Sequence, residues 1–137
     1  MSGALPFVGV GLLWGVTNPL IKVGSLEVER KRKAAAERAG GDGKAAAAGG
    51  WLAEARALLT TPSFLVPQVL NQLGGLAFTL LLSGADISVA VPTANGTSLA
   101  ANAAADTLLL GERYSLPLLL PGAALVAAGI YLCAGTA

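Results

Sequence analysis

The side chains in this 137-residue chain that have chemistry to offer are mostly uncharged and set inside apolar runs. Thr17 and Asn18 interrupt LLWGVTNPLIK (12–22), Asn71 and Gln72 interrupt VLNQLGG, and Asn95, Thr97, Ser98 and Asn102 punctuate PTANGTSLAAN. Amides and hydroxyls donate and accept hydrogen bonds, but at neutral pH they neither attack nor relay protons without a base beside them. That base is missing: there is no His, and the single Cys, Cys133, lies in an apolar stretch. Zinc sites, Cys/His catalysis and disulfide frameworks are therefore not expected. No nucleophile–base pair, paired carboxylates or metal ligands converge, so neither an enzyme nor a cofactor is expected. Asp106 is the only acid set below the end of an apolar run. It precedes Glu112 by six residues, about 9 Å of helix rise. It is read either as a buried functional acid or as a group that snorkels or pairs, with Arg113 seven positions on along the same face.

The elements that carry these groups follow from composition. The chain is 54% hydrophobic and 12% charged, with a mean hydropathy of +0.66. Soluble domains carry about 25% charged residues, so a lipid bilayer is the expected surrounding. The net charge of +1 is segregated rather than patterned, and gives no footprint for nucleic acid. Thirteen of the seventeen charges fall between Lys22 and Arg56; residues 1–21, 57–85, 87–105 and 114–137 carry none. A span of the hydrocarbon core takes about 20 apolar residues, and only helices satisfy their own backbone there. The expected fold is an all-α, polytopic four-transmembrane-helix bundle, with spans near 4–22, 63–84, 87–110 and 115–136. The first run lacks a basic n-region and ends at Lys22, not at a small-residue cleavage site, so a signal peptide is not expected.

Between the first two spans, residues 23–50 read as a long charged loop decaying into a flexible Gly/Ala-rich linker. Its cluster Arg30–Lys33 is read as a topology determinant or as a binder of anionic headgroups. Residues 51–60 read as a short interfacial amphipathic helix with Trp51 at headgroup depth. Eight of nine basic residues lie between Lys22 and Arg56, and the ninth, Arg113, follows the third span. The positive-inside rule then puts both connections on the cytosolic or equivalent side and both termini opposite. Lys22, Trp51, Glu112 and Arg113 are the expected interface anchors.

Small residues supply the packing signal. Gly11 and Gly15 form a G-x-x-x-G pair in the first span, and Gly122 and Gly129 lie seven apart in the fourth. Such faces let backbones approach where the hydrophobic effect gives no drive. They serve either packing within the chain or association with a second copy or larger membrane partners. The amides are expected to face one another, each contributing about 0.6–2 kcal/mol, or to line an aqueous cavity. Pro19, Pro67, Pro92, Pro117 and Pro121 would bend helices or free carbonyls, which suits a cavity.

Residues 108–132, LLLGERYSLPLLLPGAALVAAGIYL, resemble the end of a repeat unit of the drug/metabolite transporter (EamA-like) superfamily. In that superfamily a helix closes on Leu-Gly-Glu-Arg and a glycine-spaced last helix follows. LLWGVTNPLIK, FLVPQVLNQLGGLAFTLLL (64–82) and ADISVAVPTANGTSLA (85–100) are similar to the transmembrane protein 234 family, small four-helix members of that superfamily. The resemblance implies a transporter-like, dimeric four-helix protein. Small multidrug-resistance proteins place a proton-exchanging Glu eight residues before the Lys that ends their first helix; here that position is Trp14. The reading is then a dimeric carrier of a small neutral or weakly polar metabolite, its pocket formed by Trp14, Thr17, Asn18, Asn71, Gln72, Asn95 and Asn102. The alternative is a non-transporting accessory subunit of a larger membrane complex.

Overall fold

The structure is a computed structural model that describes residues 3–38 and 50–135. Among them every regular element is an α-helix: α1 (Leu5–Arg38), α2 (Gly50–Leu59), α3 (Pro62–Leu82), α4 (Ile87–Leu110) and α5 (Leu116–Gly135). The expected all-α class holds. Most of the expected linker, residues 39–49, lies outside the described residues, as does residue 136 of the fourth expected span.

Helix α1 does not stop at Lys22. It runs 34 residues, about 50 Å, well beyond the roughly 30 Å of a hydrocarbon core. Nothing between Ser25 and Arg38 breaks a helix, and two Glu-to-Lys pairs at i,i+4 support it: Glu27 to Lys31 at 2.6 Å and Glu29 to Lys33 at 2.7 Å. The first part of the expected loop is therefore helical.

Two of the helices are long and apolar enough to cross a membrane, Leu5–Ala35 and Pro62–Leu82, while Pro117–Leu132 forms a shorter apolar stretch. Helix α4 has the length, at 24 residues, but Thr93, Asn95, Thr97, Ser98, Asn102, Asp106 and Thr107 dilute its apolarity. Four spans were expected; among the described residues, length and composition single out two.

The described residues form two compact units, divided at Pro19/Leu20 and at Val69/Leu70. In the unit comprising 20–69, Val28 is buried, and a Cβ at Gly24 would stand 2.6 Å from the backbone nitrogen of Phe64. Arg32 reaches Glu54 of α2 at 3.2 Å, and the Ser63 hydroxyl donates to Glu27. Three of the four basic side chains of Arg30–Lys33 thus face a carboxylate, which weakens the cluster as a magnet for anionic headgroups.

The other unit comprises α1 up to Pro19, α3 from Leu70, α4 and α5. Phe7, Ala90 and Ala94 form its centre, with Trp14 and Phe78 packed against it. The rings of Phe7 and Phe78 meet edge-on at 5.8 Å, and Trp14 lies 5.4 Å from Phe78. Gly11 and Gly15 turn toward α4: a Cβ at Gly11 would lie 2.7 Å from Thr97 Cβ, and one at Gly15 would lie 2.7 Å from the Ser98 carbonyl oxygen. Nothing stands within 4 Å of a Cβ at Gly122 or Gly129. The arrangement reverses that of a water-soluble bundle. Buried positions include Thr17, Thr93, Ala90, Ala94 and Ala105, whereas Leu73, Leu76, Leu80, Leu118, Leu125 and Leu132 are exposed. In water such a surface is prohibitive; in lipid it is the expected one, because small residues allow close approach and leucine gains nothing by hiding.

Candidate functional site

Two polar clusters lie in the second unit. The first joins α1 and α3. Asn71 donates from Nδ2 to Thr17 Oγ1 at 2.8 Å and to Asn18 Oδ1 at 3.0 Å. Thr17 is buried and donates its own proton to the Leu13 carbonyl at 2.8 Å. The Trp14 indole donates to the Asn71 carbonyl at 3.2 Å, and Gly74 makes room for it: a Cβ there would lie 2.8 Å from Trp14 Nε1. The hydroxyl of Thr17, the amide N–H groups of Asn71 and the indole N–H are all committed. This cluster ties α1 to α3.

Of the seven expected pocket residues, Gln72 and Asn95 join neither cluster. Both are exposed and make no side-chain hydrogen bond among the described residues. Gln72 follows Asn71 by one position, a rotation of about 100° that turns it off the shared face. Asn95 follows the buried Ala94 and is turned off in the same way. Trp51 is exposed, and so is Arg113, while Lys22 and Glu112 both make contacts of their own.

Asn102 belongs to the second cluster, at the end of α4. Its Nδ2 donates to Asp106 Oδ2 at 3.1 Å, and the Tyr114 hydroxyl donates to the same oxygen at 2.6 Å. Asp106 is buried, 8% exposed, and its partners are these two neutral donors rather than Arg113. The local backbone explains the change of partner. Gly111 takes the left-handed conformation, φ +68°, returns its N–H to the Asp106 carbonyl and ends the helix. Chain reversal at that cap carries Tyr114 back over Asp106. Gly111 is thus the cap, and Glu112 adds its backbone N–H to the same carbonyl at 3.4 Å.

Hydrogen bonding to Asp106, aided by desolvation, pushes the Tyr114 phenol above its ordinary value near 10. The raised value means the folded chain favours the protonated phenol. That contribution to stability is complete below pH 10 and disappears as pH rises through the folded-state value. We therefore expect the ultraviolet tyrosinate titration, taken as wild type minus Tyr114→Phe, to have its midpoint above 10. A midpoint at or below 10 would show the bond to Asp106 is not made.

Asn102 and Tyr114 also line one part of a crevice of about 710 Å³ between α4 and α5, whose walls include Gly96, Leu99, Ala123 and Val126. Gly96 makes room for side chains of α5: a Cβ there would lie 2.9 Å from Val126 Cγ1 and 3.2 Å from Ile130 Cδ1. Gly122 lines the crevice, so its missing side chain contributes open volume. The walls are mostly apolar, with Thr97, Asn102 and Tyr114 as the polar exceptions. Sequence reasoning found Asn102 and Asp106 but missed Tyr114; the Leu-Gly-Glu-Arg stop was the available signal, since a Gly cap reverses the chain. Among the described residues no three His, Cys, Asp or Glu side chains gather to hold a metal.

Residues 7–134 match the family model described as Putative transmembrane family 234. A relative in Anopheles gambiae, "Transmembrane protein 234 homolog", is 36% identical over 90% of this chain and 80% of its own length. One of the same description in Dictyostelium discoideum is 33% identical over 90% of this chain and 88% of its own. No solved structure matches.

Proposed function

The chain belongs to the transmembrane protein 234 family, and on that premise we propose that this membrane protein is a non-enzymatic, multi-pass carrier of the drug/metabolite transporter type. In this reading α1, α3, α4 and α5 cross the bilayer, and the charged extension of α1 faces the cytosol or its equivalent. The solute is small and mostly apolar, and it is held between α4 and α5. The observation that carries the reading is the crevice, an apolar recess of about 710 Å³ with a few polar groups at its wall, the usual build of a small-molecule site. The amide cluster of α1 and α3 then acts as cement and not as the pocket.

A fill of the crevice tests this. Gly122 has open space around it, so Gly122→Leu is expected to change stability by no more than about 1 kcal/mol, since leucine is a better helix former than glycine. Small weakly polar metabolites retained by the full chain in nanodiscs, read by native mass spectrometry, should be lost in this variant. Retained species should exchange across proteoliposomes. Retention unchanged in Gly122→Leu would remove the crevice from consideration.

The accessory-subunit reading has one observation in its favour. Nearly all of α5 is exposed, Leu118, Leu125 and Leu132 included, and Gly129 stands open, so this helix has room for another protein. The native mass in mild detergent separates the two. About twice the chain mass supports a carrier dimer; a larger particle with co-purifying proteins supports the subunit.

A further inference from the structure

The polar end of the crevice has a definite sense, set by who donates to whom. Asp106 Oδ2 receives both Asn102 Nδ2 and Tyr114 Oη, and a carboxylate offers no proton in return. The Tyr114 hydroxyl has one proton and it is committed, so its oxygen faces any further partner as an acceptor. The NH₂ of Asn102 gives one of its two protons to the carboxylate, which leaves its carbonyl oxygen as an acceptor and its second N–H as a donor. Among the described residues no donor bonds either oxygen, and no ion pair joins Asp106. Both residues line the crevice, and the buried Asp106 lies behind them. The crevice thus meets two acceptor oxygens and one amide N–H, backed by a carboxylate that lacks a cationic partner among those residues. A buried carboxylate of this kind is costly without a counter-charge.

We propose that the α4–α5 crevice takes an amphiphile headed by a protonated amine, received by Asn102 Oδ1 and Tyr114 Oη in the field of Asp106, with its apolar tail against Leu99, Ala123 and Val126. The inference rests on the crevice being the solute site and adds the class of its ligand. An alcohol has one proton to give and no charge. A carboxylate ligand finds only the second Asn102 N–H as a donor, brings acceptors to the two oxygens, and is repelled by Asp106. An ammonium group donates to both oxygens at once, and charge-assisted bonds of this type are about twice as strong as neutral ones.

The test is equilibrium binding of radiolabelled octylamine, 1-octanol and octanoate to the full chain in nanodiscs of zwitterionic lipid, with empty discs as background. Octylamine should bind about tenfold or more tightly than octanol, the ratio expected of one charge-assisted bond, and octanoate least. Asp106→Asn should level amine and alcohol. Tyr114→Phe, which lies in the connection and leaves the helices whole, should lower amine binding selectively. Gly122→Leu should weaken all three. Equal binding of amine and alcohol in wild type, unaffected by Asp106→Asn or Tyr114→Phe while Gly122→Leu still weakens both, overturns the amine assignment and leaves the crevice intact. Binding untouched by Gly122→Leu removes the crevice itself, and the assignment with it.

Discussion

Gly15→Leu is expected to cost about 3 kcal/mol or more and to separate α1 from α4. A Cβ at this position would stand 2.7 Å from the Ser98 carbonyl oxygen and 2.9 Å from the Asn102 backbone nitrogen. Those are main-chain atoms of a helix, and a helix cannot yield locally as the end of a flexible side chain can. Relief requires α1 to move bodily away from α4. Overpacking costs of 1–3 kcal/mol are typical where side chains can adjust, and here they cannot. The separation would also disturb the turn carrying Asn102, and with it the hydrogen bond to Asp106. Gly9→Leu is the matched control. It lies on the same helix, is exposed, and has nothing within 4 Å of a Cβ, so its effect should be near zero or slightly stabilising. Thermal unfolding of the two variants in nanodiscs reads the difference directly. Equal stabilities for Gly9→Leu and Gly15→Leu would contradict the packing of α1 on α4.

Asn71→Leu should destabilise the chain by about 2 kcal/mol. It removes both donors that reach Thr17 Oγ1 and Asn18 Oδ1 and leaves those acceptors to find others. Unmade bonds of this kind cost about 1–3 kcal/mol, the upper part of the range applying where water is scarce. The backbone carbonyl that receives the Trp14 indole survives the substitution, so the loss is confined to the side-chain bonds. A double-mutant cycle with Thr17→Val separates the shared bond from the rest: the two changes should be less than additive, because each removes the same Thr17–Asn71 interaction. Gln72→Leu makes the same chemical change one residue later on an exposed face, and should stay within about 0.5 kcal/mol of wild type. Equivalent losses at positions 71 and 72 would show that the two amides share an environment, contrary to the orientation described above.

These two pairs of positions mark how far the sequence carries. Charge segregation and apolar run length determined that the chain is helical and made for a membrane, because a segment without water must satisfy its own backbone and only a helix does so within one strand of chain. The Gly11/Gly15 spacing determined that α1 has a face of close approach. Sequence could not decide where the helix beyond Lys22 ends, since the support given by Glu27–Lys31 and Glu29–Lys33 is a few tenths of a kcal/mol per pair and becomes decisive only in sum. Nor could it choose between Asn71 and Gln72: a segment apolar on all sides carries no amphipathic stripe to fix its rotation, so the inward amide is selected by the partner it meets. The same holds for Asp106. Its sequence neighbour Arg113 was the natural partner on helical spacing, but Gly111 ends the helix in a left-handed turn and the returning chain supplies Tyr114 instead. Sequence determined the polar inventory and the apolar runs that become the helices carrying it. Only the tertiary structure decided which oxygens remain as acceptors at the crevice, because that depends on where each proton is already given, and the groups that receive them are joined by packing and by one reversal of the chain.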